Sequence, residues 1–208
     1  MSEIIDVVEA WVLEVMKSLG EPGVGVLVLL ENLFPPIPSE VILPLAGFTA
    51  SQGDFMLVTV ILWATFGSVA GALALYYAGV LLGRERTRYI FERMPLVDVS
   101  DVDKTEAWFI KHETKAVLIG RMVPIFRSLI SIPAGVERMN LPLFIAYTAL
   151  GSLVWNTVLI LAGYFLGENF GLVEEYVSYL QYAVIAAVVI GIAYFAYVKL
   201  YRKKQQKQ

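Results

Sequence analysis

Pro36-Ile37-Pro38-Ser39-Glu40-Val41-Ile42-Leu43-Pro44-Leu45-Ala46-Gly47 aligns without a gap on Pro124-Ile125-Phe126-Arg127-Ser128-Leu129-Ile130-Ser131-Ile132-Pro133-Ala134-Gly135, 88 residues further on. Each stretch carries proline and charge inside an otherwise apolar run. Downstream, Gly67-Ser68, Ala78-Gly79 and Gly83 recur as Gly151-Ser152, Ala162-Gly163 and Gly167, now at an offset of 84. The chain reads as two copies of one unit, a broken apolar hairpin followed by a long helix. Repeats of broken helices are the sequence pattern of membrane transport sites.

Composition agrees. Of 208 residues, 58% are hydrophobic and 17% charged, more apolar surface than a soluble domain of this length buries. The net charge of −3 hides a segregation of charge into the N-terminus, one central stretch and the C-terminus, so no nucleic-acid partner is expected. The absence of cysteine excludes disulfides and thiolate metal sites. Ser2 to Glu21 holds five carboxylates against Lys17 and lacks the basic start of a cleaved signal peptide, so it is expected to be retained.

A helix rises about 1.5 Å per residue, so a hydrocarbon core of about 30 Å takes about 20 apolar residues. Phe55–Leu82, Leu141–Leu166 and Val177–Val198 are long enough. Val24–Phe34 and Val41–Ala50 are too short singly and are separated by Pro35-Pro36-Ile37-Pro38, so together they should enter and turn back. Ala116–Val136, interrupted by Pro124 and Pro133, should form the second re-entrant hairpin. Backbone released from helix at this depth must be buried in protein or face a wet cavity. The predicted fold is an all-α polytopic membrane domain of two inverted repeats, 22–83 and 116–167. An amphipathic interfacial helix (1–20) precedes them, a charged cytoplasmic loop (84–115) joins them, and a C-terminal transmembrane helix (177–199) with a basic tail (200–208) follows.

Inversion follows from charge. Seven Lys and Arg residues between Arg84 and Lys115, and Lys199, Arg202, Lys203, Lys204 and Lys207 at the end, should both be cytoplasmic, because basic residues stay inside. Phe55–Leu82 then runs inward and Leu141–Leu166 outward.

Glu31, Glu40, Arg121 and Arg127 sit where an ionised group costs about 2.5 to 3.5 kcal/mol. Structural salt bridges between the hairpins are one reading. The other is a site: Arg121 and Arg127 hold an anionic head group bidentately, and Glu31 and Glu40 change protonation with the face to which the site opens. Glu40 is expected to pair with Arg127 in the empty site. Ser39, Ser128 and Ser131 can donate hydrogen bonds there. Asn156 and Trp155 read more readily as helix contacts, and His112 as a solvated surface residue.

Gly120-Arg121-Met122-Val123-Pro124-Ile125-Phe126-Arg127-Ser128, followed by Pro133-Ala134-Gly135, resembles the G-R-x-x-P-x-x-R-[ST] and P-A-G motif of the DedA family, also called the SNARE-associated or VTT-domain family. Glu31-Asn32, and Pro38-Ser39-Glu40 with Ala46-Gly47, are similar to its E-N and P-[GS]-[ED] with A-G elements. The resemblance covers about residues 22–170. It implies two opposed re-entrant hairpins and movement of lipids between leaflets, polyprenyl phosphate or phospholipid, with dependence on proton motive force in bacterial relatives. It maps an acidic pair onto Glu31 and Glu40 and an arginine pair onto Arg121 and Arg127. The departure is the Pro35-Pro36-Ile37-Pro38 turn with Ser39, where many relatives have glycine.

The expected function is therefore proton-coupled transport of a phosphate-bearing lipid in the cell membrane, without a cofactor or metal. A small-ion or drug/proton antiporter using the same acids is the alternative. A lipid phosphatase fits the substrate but lacks the second histidine that phosphatases of the acid type need.

Overall fold

The computed structural model describes residues 2–34, 39–92, 99–123 and 126–165, and every element among them is helical. In order these are α1 (Ser2–Leu19), α2 (Glu21–Leu33), α3 (Ser39–Ser51), α4 (Leu57–Glu92), α5 (Val99–Gly120), α6 (Phe126–Leu129), α7 (Ser131–Val136) and α8 (Leu141–Phe165). The proline-rich turn at 35–38, Pro124, the C-terminal helix and the basic tail lie outside the described residues.

Local chemistry sets the boundaries. Gly20 turns the chain from α1 into α2 at φ 66°, a conformation that glycine adopts without a Cβ clash. The Glu21 carboxylate accepts from the Met56 amide at 2.7 Å, tying the start of α2 to the start of α4. At the end of α7, Met139 N donates to Ala134 O and Arg138 N to Gly135 O, with Arg138 at φ 52°. This is the paired closure of a helix end around one left-handed residue. The Tyr76 hydroxyl clamps the turn by donating to Met139 O at 2.7 Å. Asn140 then opens α8: its Oδ1 accepts from Leu143 N at 3.2 Å, and Pro142 follows in the first turn.

One expectation is corrected. The stretch read as a charged loop is mostly helix, because α4 runs on past a kink at Gly83 (φ 69°) to Glu92, and α5 covers Val99–Gly120 with a kink at His112. Its apolar side, with Phe109, Ala116 and Val117, is buried against Tyr76, Ala134 and Phe144. Pro133 marks an interruption as expected: α6 ends at Leu129, whose carbonyl an amide at 133 would have met, and Pro133 lies in the first turn of α7. α1 has the expected length, and its Val12 and Met16 are fully buried with Val24, Leu27, Val28, Ile42 and Leu43 of α2 and α3.

α4 and α8 are the long apolar helices. Only 33% of the most apolar window in α4 and 39% of that in α8 is buried, too little for core helices of a soluble protein of this size. Exposed Leu62, Phe66 and Leu81 on α4, and Leu150, Val158 and Phe165 on α8, suit a hydrocarbon surround. The two run antiparallel, with Asn156 meeting Ser68 near one end of the contact and Phe144 meeting Tyr76 near the other.

The packing exchanges arms between the copies. A Cβ at Gly47 on α3 would strike the Ile160 carbonyl of α8, and one at Gly163 would strike the Pro44 carbonyl of α3. A Cβ at Gly135 on α7 would strike the Tyr76 carbonyl of α4, and one at Gly79 the Ile132 carbonyl of α7. Gly47 corresponds to Gly135 at the 88 offset and Gly79 to Gly163 at the 84 offset. The second arm of each hairpin thus packs on the long helix of the other copy.

Gly47→Ala and Gly135→Ala should therefore each lower stability by about 1 to 3 kcal/mol or more, the usual cost of overpacking. Gly120→Ala should cost less, because there the added methyl meets only the Ile130 side chain, which can move. Thermal unfolding of purified protein in nanodiscs checks the ranking.

Candidate functional site

Four short polar segments converge inside this apolar frame. Glu31 and Asn32 are on the last turn of α2, Arg121 follows the end of α5, Arg127 and Ser128 are on α6, and Ser131 starts α7. All six are buried, at 0 to 5% exposure. Glu31 and Asn32 come from the first copy and the other four residues from the second.

The Arg127 guanidinium pairs with the Glu31 carboxylate through Nη2 and Oε2, across 96 residues. Glu40 was the expected partner. Its backbone lies in α3, but its side chain and that of Ser39 are outside the described residues. Among the described side chains, Glu31 supplies the carboxylate that Arg127 meets.

Arg121 is bound differently. Its Nη2 donates to Ser131 Oγ at 2.6 Å and its Nη1 to Asn32 Oδ1 at 3.3 Å, while Nε has no hydrogen-bond partner. Both acceptors are neutral. Asn32 presents its oxygen to the arginine because its own Nδ2 donates back to Val28 O at 2.9 Å, fixing the amide's orientation. The same Oδ1 accepts from Ser128 Oγ at 3.4 Å. The two contacts to Asn32 Oδ1 are long for hydrogen bonds and readily exchanged.

Glycines let these groups approach. Gly71 of α4 lies against the Asn32 Cβ, and Gly151 of α8 against the Arg121 Cβ and Leu118 O. A side chain at either position would displace the residue it faces. Asn32 was legible only as part of a motif, and its role as shared acceptor was not. The available signal was a lone amide in an apolar run, next to Glu31 and one turn after Val28. His112 lies at the kink of α5, away from this cluster. Among the described residues, no three His, Cys, Asp or Glu side chains come together to hold a metal.

The described charges of the site are two guanidiniums and one carboxylate. This leaves a positive excess in a buried place, favourable to an anion.

Across residues 37–165 the chain matches the family model of the VTT domain. It belongs to the VTT-domain, or DedA, family. This VTT-domain protein is 33% identical over 202 residues to a Staphylococcus aureus protein named undecaprenyl phosphate transporter A, covering 96% of this chain and all of that one. It is 38% identical over 198 residues to a Lactococcus lactis protein named alkaline phosphatase-like protein, covering 93% and 92%. It is 37% identical over 211 residues to the Bacillus subtilis uncharacterized membrane protein YkoX, covering 99% and 88%. No solved structure matches. Membrane relatives over the full length and two exposed apolar helices make this a membrane protein.

Removing one partner of the buried Glu31–Arg127 pair leaves the other uncompensated, which costs about 3 to 5 kcal/mol. Glu31→Gln and Arg127→Gln should each lower stability on that scale, and the double variant by much less than the sum. Additive losses in thermal unfolding would mean that the pair is not formed.

Proposed function

We propose that this protein moves a phosphate-bearing lipid between membrane leaflets, with Arg121 as the resident phosphate ligand and Arg127 recruited from Glu31. The observation that carries the reading is the state of Arg121: fully buried, held among the described residues by neutral Asn32 and Ser131, with Nε unpartnered. A guanidinium in that state favours an anion whose oxygens match its planar fork. Ser128 on α6, and Ser131 and Ser39 at the starts of α7 and α3, add donors. The lipid tails remain in the bilayer while the head group occupies the site. The printed name of the Staphylococcus aureus relative supports a lipid phosphate as the substrate class.

In this scheme phosphate competes with Glu31 for Arg127. The displaced carboxylate takes a proton, and lipid and proton occupancy become linked. Glu40 is the second acid of the cycle. The hairpins act as re-entrant, inverted halves that close the site alternately to each face, which the exchanged arms and the antiparallel α4 and α8 support. Transport without covalent chemistry is the reading favoured over the phosphatase that the Lactococcus lactis name evokes. Sustained release of inorganic phosphate from a polyprenyl phosphate by the purified protein would reverse it. The antiporter alternative would show as solute exchange in liposomes that carries on without lipid movement.

Arg121→Lys keeps the charge and loses the fork, so its affinity for polyprenyl phosphate should fall about tenfold or more, the weight of one charge-assisted hydrogen bond. Native mass spectrometry reads the loss directly. Glu31→Gln should retain binding, yet transport in liposomes should no longer respond to a proton gradient.

Topology has its own check, because the chain has no native cysteine. A cysteine replacing Gln52 should react with an impermeant reagent from outside intact cells, and one replacing Ser100 only after the cytoplasmic side is opened. Outside labelling at Ser100 would reject the inverted arrangement.

A further inference from the structure

The buried charges of the site are covered on the outside by apolar side chains. Ile119, Met122, Phe126 and Leu129 follow three, four and three residues apart through the end of α5, the turn after it and α6. They are 43 to 60% exposed, whereas Arg121, Arg127 and Ser128, which lie between them in sequence, are at most 5% exposed. α6 shows the inversion within four residues: Phe126 and Leu129 face out, Arg127 and Ser128 in. Spacings of three and four place side chains on one face of a helical path. The backbone keeps close to such a path, with Met122 N donating to Ile119 O at 2.9 Å, Arg127 N to Val123 O at 3.1 Å and Ile130 N to Phe126 O at 2.9 Å. Gly120 rests on the Ile130 side chain, so Ile119 and Leu129 are the outward neighbours of one contact.

An apolar face outward and a charged face inward is the reverse of a water-facing helix and suits hydrocarbon. Other exposed apolar faces suit it too, Leu62 and Phe66 on α4 and Leu150 and Val158 on α8. Those helices contribute none of the six polar residues of the site. What sets the α5–α6 face apart is its distance from the guanidiniums. Consecutive Cα atoms are about 3.8 Å apart, and Met122 and Phe126 are each the immediate neighbour of an arginine. A lipid whose phosphate engages Arg121 and Arg127 has this surface within reach of its first chain carbons.

We propose that Ile119, Met122, Phe126 and Leu129 form the surface that takes the hydrocarbon chain of the transported lipid, an assignment that rests on the phosphate reading of Arg121. Head group and chain are then recognised by opposite faces of one short segment. In a bilayer, a chain laid on this surface displaces other hydrocarbon, so preference for one chain comes from dispersion and fit and not from hydrophobic burial. The Phe126 ring and the Met122 thioether are its polarisable members, and the unbranched methionine adapts to the shape laid against it. The surface is open while the arginines are closed off, so the chain docks before the head group enters.

The test compares two phosphates that share a head group and differ in chain, a long polyprenyl phosphate and dimethylallyl phosphate, with neutral polyprenol as a third ligand. Native mass spectrometry of the purified protein reads the affinities. Phe126→Ala and Met122→Ala should each weaken binding of the long polyprenyl phosphate about two- to tenfold, the weight of one aromatic or thioether contact, and leave dimethylallyl phosphate unchanged. Leu150→Ala, at an apolar position of similar exposure on α8, should change neither. Polyprenol carries the chain alone and should lose the same factor in Phe126→Ala. Polyprenol binding that depends on Phe126, in a protein that holds neither phosphate more tightly than the alcohol, would reject the phosphate reading and keep the chain surface. No long-chain binding, long-chain affinities independent of Phe126 and Met122, or an equal loss in Leu150→Ala would overturn the surface. A parallel loss of dimethylallyl phosphate would also overturn it and place the two residues in the head-group site.

Discussion

Everything in this structure accommodates two guanidiniums that are buried in an apolar chain. An ion removed from water must find compensation within reach, and both arginines take part of it from the other copy. Arg127 reaches back 96 residues to Glu31, and Arg121 reaches 89 residues to Asn32. These contacts fix where α2 ends relative to α5 and α6.

Meeting there requires the helices to come unusually close, and the glycines make it possible. Each exchanged arm rests backbone to backbone on the long helix of the other copy, Gly47 on Ile160 and Gly135 on Tyr76. Such contacts favour dispersion and tight packing over hydrophobic burial, as expected where the surround is as apolar as the protein. The exchange also makes the copies interdependent: neither hairpin has a complete bed on its own long helix. A substitution at one glycine should disturb the site through Asn32 or Arg121, since Gly71 and Gly151 carry the same packing directly to those residues.

Much of this was legible in the sequence, and the residues that were not share a cause. The ungapped alignment located both breaks, the length of apolar runs gave α4 and α8, and the arginine motif gave the basic side of the site. The alignment sets Glu40 near Arg127 by register, a pairing whose acidic side chain lies outside the described residues. That Glu31 also meets Arg127 was not legible, because it depends on the last turn of α2 packing on α4 through Gly71 and turning Glu31 and Asn32 inward together. The central charged stretch read as a loop because its charges dominate its composition. Its sparse apolar residues, Phe109, Ala116 and Val117, are nonetheless spaced to bury one helical face.

The two copies match in sequence pattern but not in charge. The first contributes Glu31 and Asn32 and the second Arg121 and Arg127, so the carboxylate and the guanidiniums never share a copy. A symmetric scaffold with asymmetric chemistry has one site at its junction instead of two equivalent ones. It also gives the arginines unequal situations. Arg127 is paired with a carboxylate, whereas the described contacts of Arg121 are to neutral oxygens, which exchange at little electrostatic cost. Under the proposed function, an arriving anion meets Arg121 first, and its own charge then weakens the hold of Glu31 on Arg127. The order of events proposed for the site is set by which guanidinium already has a described counterion.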